Sequence, residues 1–282
     1  MNNNNDIFVK INFILPTLPK AEKLIARYLL DNYENVRNMN LLTLAQEIGS
    51  SDTSIIRFCK RLGYDGFSSF KQSFLEAVID SSQNITQEIS PEDSIIYILK
   101  KVINDNIKTL NDTLALSSDN YQKALDALIN AENVHFFGVG DAHIVAEFAF
   151  RKFSRIGYKC SAYTDVDLQY ITSSLMTDKD VAVAISYSGA SSNIVKSVKI
   201  AKECGATTIC LTHMNKSSIL KYVDIPIYIS ASDFTVGRDI VSRRVADQAV
   251  IEALYLGVVT KSNRNCDQFI KKTEKVININ KI

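Results

Sequence analysis

Five short apolar runs in the second half of the chain constrain its fold more than any other feature. They are "NVHFFG" (133–138), "KCSAY" (159–163), "DVAVAIS" (180–186), "TTICLT" (207–212) and "DIPIYI" (224–229), with helical stretches between them. Strand-like runs alternating with helices at this spacing imply βαβ units and a parallel sheet. A closing amphipathic stretch, Ile240 to Val259, is expected to pack on that sheet.

The first half keeps a helical period. In "TLPKAEKLIARYLLDNY", Leu24, Ile25, Tyr28 and Leu29 recur at helical spacing, and "LLTLAQEIGS" gives a helix ending at Gly49. "SDTSIIRFCKRLGYDG" follows, with Ile55, Ile56 and Phe58 expected inward and Gly63 closing the turn, and then "FSSFKQSFLEAV". From about 78 to 90, "IDSSQNITQEISP" is polar and serine-rich, a linker by composition, and residues 91–130 read as connecting helices. The expected division is therefore 1–77, 78–130, 131–262 and a basic tail over 263–282. From Lys261 that tail holds six Lys or Arg against two acids and reads as a solvated, frayed end, with a DNA-facing role as the second reading.

A chain of 282 residues leads us to expect two domains, and 46% hydrophobic content is ample for packed cores. No apolar run approaches the roughly 18 residues of a membrane span. "MNNNNDIFVK" lacks the features of a secretory leader, and Asn2 to Asn5 read as a polar lead-in. Five cysteines are odd in number and form no C-x-x-C pair, so reduced and mostly buried thiols are expected. The three histidines are scattered. A cytoplasmic chain without metal or cofactor is the expectation. A net charge of +1 points to no acidic partner by itself, so the distribution of charge matters more.

Two short helices joined by a tight turn have the geometry of a helix-turn-helix, whose second helix meets base edges with its first residues. Here that helix runs from about Asp52 to Leu62. Ser51, Thr53 and Ser54 supply small hydroxyls at its start, and Arg57, Lys60 and Arg61 suit phosphate or guanine. The basic patch is modest, so two copies would bind far better than one. The plainer reading is a small helical docking domain.

The other concentration of chemistry is "AISYSGASSN" (184–193), where a strand hands over to a helix. Ligands of open α/β sheets bind beyond the carboxyl ends of the strands, and a helix N-terminus there favours a phosphate. Ser186, Ser188 and Ser191 add hydroxyl donors, and Gly189 lets the backbone come close. Ser188 or Ser191 as an ordinary helix cap is the alternative. A second loop, "GVGDAH", offers Gly138, Gly140 and Asp141 after the first strand. It does not complete G-x-G-x-x-G, and Tyr163 stands where a dinucleotide site wants an acid.

"LLTLAQEIGSSDTSIIRFCKRLGYDGFSSFKQSF" resembles the N-terminal domain of RpiR-type transcriptional regulators, most specifically over Arg57 to Phe67. "FFGVGDAHIVAEFAFRKFSRIGY", "DVAVAISYSGASSNIVKSVKIAKECGA" and "SRRVADQAVIEAL" resemble the sugar isomerase (SIS) domain of the same regulators, in the expected order over about residues 15–262. The resemblance implies an all-α helix-turn-helix domain followed by an α-β-α sandwich with a five-stranded parallel sheet. It further implies a DNA operator, a homodimer or higher homo-oligomer, and a phosphosugar effector held by Ser186, Ser188, Gly189 and Ser191. Arg57, Lys60 and Arg61 fall on the recognition helix by that match, while Phe58, Leu62 and Phe67 hold its angle. Two positions depart from the family pattern: Ala142 stands where a serine is frequent, and Ala190 where many SIS proteins carry Glu.

SIS domains also occur in isomerases, which need a general base near C1/C2 of the sugar. Glu147, Glu252, His143 and His213 are the candidates, and no pair of them falls on a catalytic motif. A sensor is the more economical reading, and no residue is assigned to catalysis. The alternative is a phosphosugar isomerase with an accessory helical domain, and a third reading is a ligand-free dimerising scaffold.

Overall fold

The computed structural model describes residues 6–36, 39–81, 89–231, 235–236, 239–240 and 243–279. Asn2 to Asn5 and most of the polar linker, 82–88, lie outside these residues. Residues up to 104, with 114–116, form one unit, and 105–113 with residues from 117 onward form the other.

The first unit is helical: α1 (Asp6–Ile14), α2 (Lys20–Asp31), the single-turn α3 (Tyr33–Val36), α4 (Leu41–Ile48), α5 (Asp52–Arg61) and α6 (Phe67–Ser81). Helix α1 was not foreseen, yet Ile7 and Ile11 are fully buried in the core, one helical turn apart. Asn40 starts α4, its Oδ1 accepting from the Thr43 N–H at 2.9 Å, and Gly49 ends it in the left-handed region at φ 68°. Phe58, Phe70 and Phe74 are fully buried, with ring centroids 6.3 Å apart for Phe58–Phe70 and 5.6 Å for Phe70–Phe74. Each such side chain contributes about 1.5–3 kcal/mol over its exposed state. On α2 the buried stripe is Glu22, Ile25, Ala26 and Leu29, whereas Leu24, expected inward, is 52% exposed. A carboxylate occupies the core face in its place, and charges from α5 make that possible.

Helix α7 (Ile95–Ala115) contributes residues to both units. The second unit continues with α8 (Asn120–Asn130), β1 (Asn133–Phe137), α9 (Asp141–Arg155), β2 (Lys159–Ala162), α10 (Val166–Ser174), β3 (Asp180–Ile185), α11 (Ser192–Glu203), β4 (Thr207–Thr212) and β5 (Ile225–Tyr228). Two short strands, β6 (Thr235–Val236) and β7 (Asp239–Ile240), pair antiparallel ahead of α12 (Arg243–Lys261) and α13 (Cys266–Asn278). The five main strands form one parallel sheet in the order β2-β1-β3-β4-β5. Strand β3 is buried along its whole length, as expected for a central strand covered on both faces.

Helix α8, read with the connecting segment in the sequence, packs Ala124, Leu125 and Leu128 into the same core as β1, β3 and β4. The basic tail is helical rather than frayed. Cys266 at the start of α13 is 3% exposed, and Arg264 donates to the Ala131 carbonyl with its guanidinium 3.9 Å from the Tyr158 ring centre. The fit is close, since a Cβ on Gly157 would lie 2.8 Å from the Phe269 ring. All five cysteines are free; Cys59, Cys210 and Cys266 are buried, Cys160 is half-buried and Cys204 is exposed. No helix among the described residues is long and apolar enough to cross a membrane.

One histidine makes stability depend on pH. His135 on β1 meets the Ser161 hydroxyl at 2.8 Å, and burial lowers its pKa against the opposing pull of Asp180. The unfolded chain therefore takes up the proton first, near the usual value of about 6.5, and stability falls as pH drops through that value toward the depressed native one. The urea midpoint should fall between about pH 7.5 and 5.5, and fall less in His135→Gln. Equal slopes for the two proteins would refute the assignment.

Candidate nucleic-acid interface and anion site

In the helical unit, α4 and α5 are joined by Gly49, Ser50 and Ser51. The Ser50 N–H donates back to the Ala45 carbonyl at 2.9 Å, which tightens the turn. Ser51 caps α5: its Oγ accepts from the Ser54 N–H at 3.2 Å and lies 2.9 Å from the Ser54 hydroxyl. Ile55, Phe58 and Cys59 face the core, which turns the opposite side of α5 to solvent. Thr53 and Lys60 are exposed on that side. Arg57 and Arg61 extend from it with side chains 62% and 48% exposed, and both meet Glu22 of α2, which is fully buried. The six residues read from sequence thus fall together on one short helix and its cap. Ser51 and Ser54 are partly engaged with each other, and Glu22, which orders the two arginines, carried no local signal.

In the α/β unit, β1 and β3 are neighbours whose connections leave toward opposite edges of the sheet, the switch point of such a fold. The Gly138–Gly140 loop and the Ser186–Ser191 loop lie beyond their carboxyl ends. Glycine at 138 is required by space: a Cβ would lie 2.7 Å from the Ala142 carbonyl carbon and oxygen. At 189 the need is double, because φ is 58° and a Cβ would lie 2.2 Å from the Ser217 Oγ. Ser186 is 5% exposed and its N–H extends the sheet to the Leu211 carbonyl at 3.0 Å. The Ser188 Oγ accepts from the Ala190 N–H at 3.3 Å. Ser191 occupies the N-cap position of α11 without a capping hydrogen bond from its side chain. That hydroxyl is not spent on the helix, while the first turn of α11 presents N–H groups without intrahelical acceptors.

Four contributions to this edge were not read from sequence. Gln169 of α10, fully buried, donates its Nε2 to the carbonyls of Gly138 at 3.0 Å and Tyr163 at 2.7 Å, tying the loops after β1 and β2. Ser217 supports Gly189, as above. Arg244 of α12 lies 3.7 Å from Asp141 and 3.1 Å from the buried Asp247, so a cation stands beside the first loop although neither loop contains one. The Tyr187 ring, between Ser186 and Ser188, stacks on His213 with centroids 4.9 Å apart and planes 5° apart. His213 Nδ1 lies 3.1 Å from the Ile229 carbonyl, which can only accept, so Nδ1 donates there.

Of the remaining candidate bases, His143 lies in the first turn of α9, its backbone N–H donating to the Gly140 carbonyl at 3.0 Å, beside the first glycine loop, whereas the two glutamates are held in ion pairs. Glu147 pairs with Arg151 at 2.6 Å on the surface of α9, and that hydrogen bond and charge hold its carboxyl below the usual range. Glu252 pairs with Lys152 at 2.9 Å. Among the described residues, no group of three His, Cys, Asp or Glu is placed to hold a metal ion.

Residues 6–81 match the helix-turn-helix domain of the rpiR family, and residues 127–257 match the SIS domain. An uncharacterized HTH-type transcriptional regulator of Caldanaerobacter subterraneus is 33% identical over 278 residues, covering 98% of this chain and 99% of that one. The chain belongs to the rpiR family of HTH-type transcriptional regulators. The HTH-type transcriptional regulator HexR of Pseudomonas aeruginosa is 28% identical over 261 residues, covering 91% of this RpiR-family chain and 90% of its own length. Among solved structures, Vibrio vulnificus NanR complexed with ManNAc-6P has a TM-score of 0.59 at 20% identity, covering 96% of this chain and 97% of that one, a likeness of fold.

Proposed function

We propose that this RpiR-family regulator binds a phosphosugar at its SIS unit and an operator through α5, acting as a homo-oligomer in the cytoplasm. The observation that carries the sensor half is the serine loop: a glycine at positive φ, an uncommitted Ser191 hydroxyl and a helix N-terminus converge beyond β3. Such a site favours a phosphoryl group by oriented dipoles. Ser186, Ser188, Gly189 and Ser191 would hold the phosphate, with Gly138, Gly140 and Asp141 lining the sugar side. NanR, which shares the fold, was solved with a phosphosugar, and this supports the same class of ligand here. Ala142 removes a hydroxyl from the sugar side, so the preferred sugar need not be the same.

Regulation fits better than turnover. Glu147 and Glu252 are engaged in exposed ion pairs, which leaves His143 and His213 of the four candidate bases, and these two do not fall on a catalytic motif. DNA reading rests on Ser51, Thr53, Ser54, Arg57, Lys60 and Arg61, and two heads would meet half-sites about 34–36 Å apart. Exposed Ile96, Leu99 and Ile103, three or four residues apart on α7, offer a surface for association. Because α7 contributes to both units, it is the segment through which occupancy can be passed on, provided the effector binds the two arrangements unequally.

The test is a thermal-shift screen of sugar phosphates against the parent sugars and inorganic phosphate. At a hundredfold excess over Kd a ligand stabilises by about 2.7 kcal/mol, a readily visible shift. We expect a sugar phosphate to raise Tm and to change DNA affinity, and the parent sugar to do neither. Conversion of that sugar phosphate to an isomer would favour the enzyme reading instead.

A further inference from the structure

Glu22 is a carboxylate with a side chain 0% exposed, placed on the core face of α2. Its oxygens are divided between two residues of α5. Oε1 accepts from Arg57 Nε at 2.9 Å, and Oε2 accepts from Arg61 Nε at 2.6 Å. The second arginine closes a fork, its Nη2 lying 3.5 Å from Oε1. Burying such a charge is costly unless it is matched, and two guanidinium groups match it here.

The geometry does more than neutralise. Arginines four residues apart share one side of a helix. With both Nε atoms bound, the guanidinium planes are set, while the side chains remain 62% and 48% exposed. Of their Nη atoms only Arg61 Nη2 meets Glu22, so the others keep donors for whatever approaches α5. A planar fork held in advance loses less freedom on binding phosphate or guanine than a loose side chain. The carboxylate also cancels one of two positive charges, leaving a net of +1 on the cluster (two guanidiniums less one carboxylate). Non-specific attraction to DNA grows with the number of phosphates neutralised, so the same carboxylate restrains it.

We propose that Glu22 is a positioning residue of the DNA reader, which orients Arg57 and Arg61 for the groove and holds down their non-specific attraction to the backbone. The inference rests on the reading of α5 as the groove helix. It predicts a change in selectivity, not merely in stability.

The test uses the full chain and two duplexes: one enriched from a randomised library by the wild-type protein, and a scramble of the same composition. Affinities are measured across a salt titration. In Glu22→Gln the preference for the selected duplex should fall about tenfold, and the salt slope on the scramble should steepen by up to about one. A drop in Tm with both duplexes weakened equally and the slope unchanged would overturn the proposal. In an Arg57→Ala/Arg61→Ala background, adding Glu22→Gln should leave the preference unchanged and raise Tm, because it removes a stranded buried charge. A further loss of preference there would also overturn it. Should Glu22→Gln fail to fold, Glu22→Asp keeps the charge but is too short to span both Nε atoms. Its preference should fall partway, and an unchanged preference counts against the idea. Lys60→Ala separates the two levels: it should flatten the salt slope if α5 meets DNA. No change with Lys60→Ala would sink the groove reading itself. A flattened slope with Lys60→Ala and no effect of Glu22→Gln would sink this inference alone.

Discussion

Replacing Ser186 and Ser188 together with alanine should abolish the response to a phosphosugar and leave DNA binding of the ligand-free protein unchanged. The reason is the division of labour along the chain. Both hydroxyls lie at the carboxyl end of β3, in the α/β unit, and neither belongs to the helical unit that carries α5. A hydrogen bond to a charged group is worth about 1.5–3 kcal/mol. Losing two of them weakens phosphate binding by roughly two to four orders of magnitude. Ser186 is 5% exposed and its backbone continues the sheet, so trimming the hydroxyl leaves the main-chain hydrogen bond to Leu211 in place. The measurement is a DNA mobility shift with and without the sugar phosphate that stabilises the wild type. A double variant that still responds at wild-type concentrations would move the effector site elsewhere.

The second large effect concerns the backbone of the same loop. Gly189→Ala should lower Tm markedly and eliminate effector binding. The added Cβ would lie 2.2 Å from the Ser217 Oγ, 2.7 Å from the Ser217 Cβ and 3.0 Å from a methyl of Ile219, at a φ of 58° that side chains rarely adopt. Strain of this kind costs about 1–3 kcal/mol before any repacking. Relief would require the loop after β4 to move away from the serine loop. Combining Gly189→Ala with Ser217→Gly removes the two closest atoms, so part of the lost Tm should return. Effector binding should stay impaired, because the backbone conformation that aims the N–H groups is still disfavoured. If the single variant melts like the wild type and keeps its ligand, the loop is not packed as described.

Much of this architecture was legible in the residues themselves. Each of the five apolar runs became a strand within about two residues of its expected ends, because a buried parallel strand is written as an uninterrupted apolar segment. Gly49 marked the turn before α5 because a left-handed C-cap needs a residue that tolerates positive φ, whereas Ser51, read as a contact for DNA, proved to be the N-cap of α5. Helix α1 was harder, since its buried Ile7 and Ile11 are too few and too short a run to announce a period. The serine loop stood out for the same local reason as the caps: hydroxyls and one glycine crowd the end of an apolar strand.

What the sequence determined by itself was therefore much of what depends on neighbours along the chain: the five main strands, most of the helices, the turn before α5 and the two glycine loops. Tertiary structure decided which distant residues serve those features. Glu22 meets Arg57 and Arg61 across 35 and 39 residues. Gln169 reaches back 31 residues to Gly138, and Ser217 closes on Gly189 from the next strand's loop. None of these contacts has a spacing that periodicity can report. A buried carboxylate reads as a surface charge, and a buried amide as an ordinary helix residue, until folding removes water and leaves each with the partners that make its position tolerable.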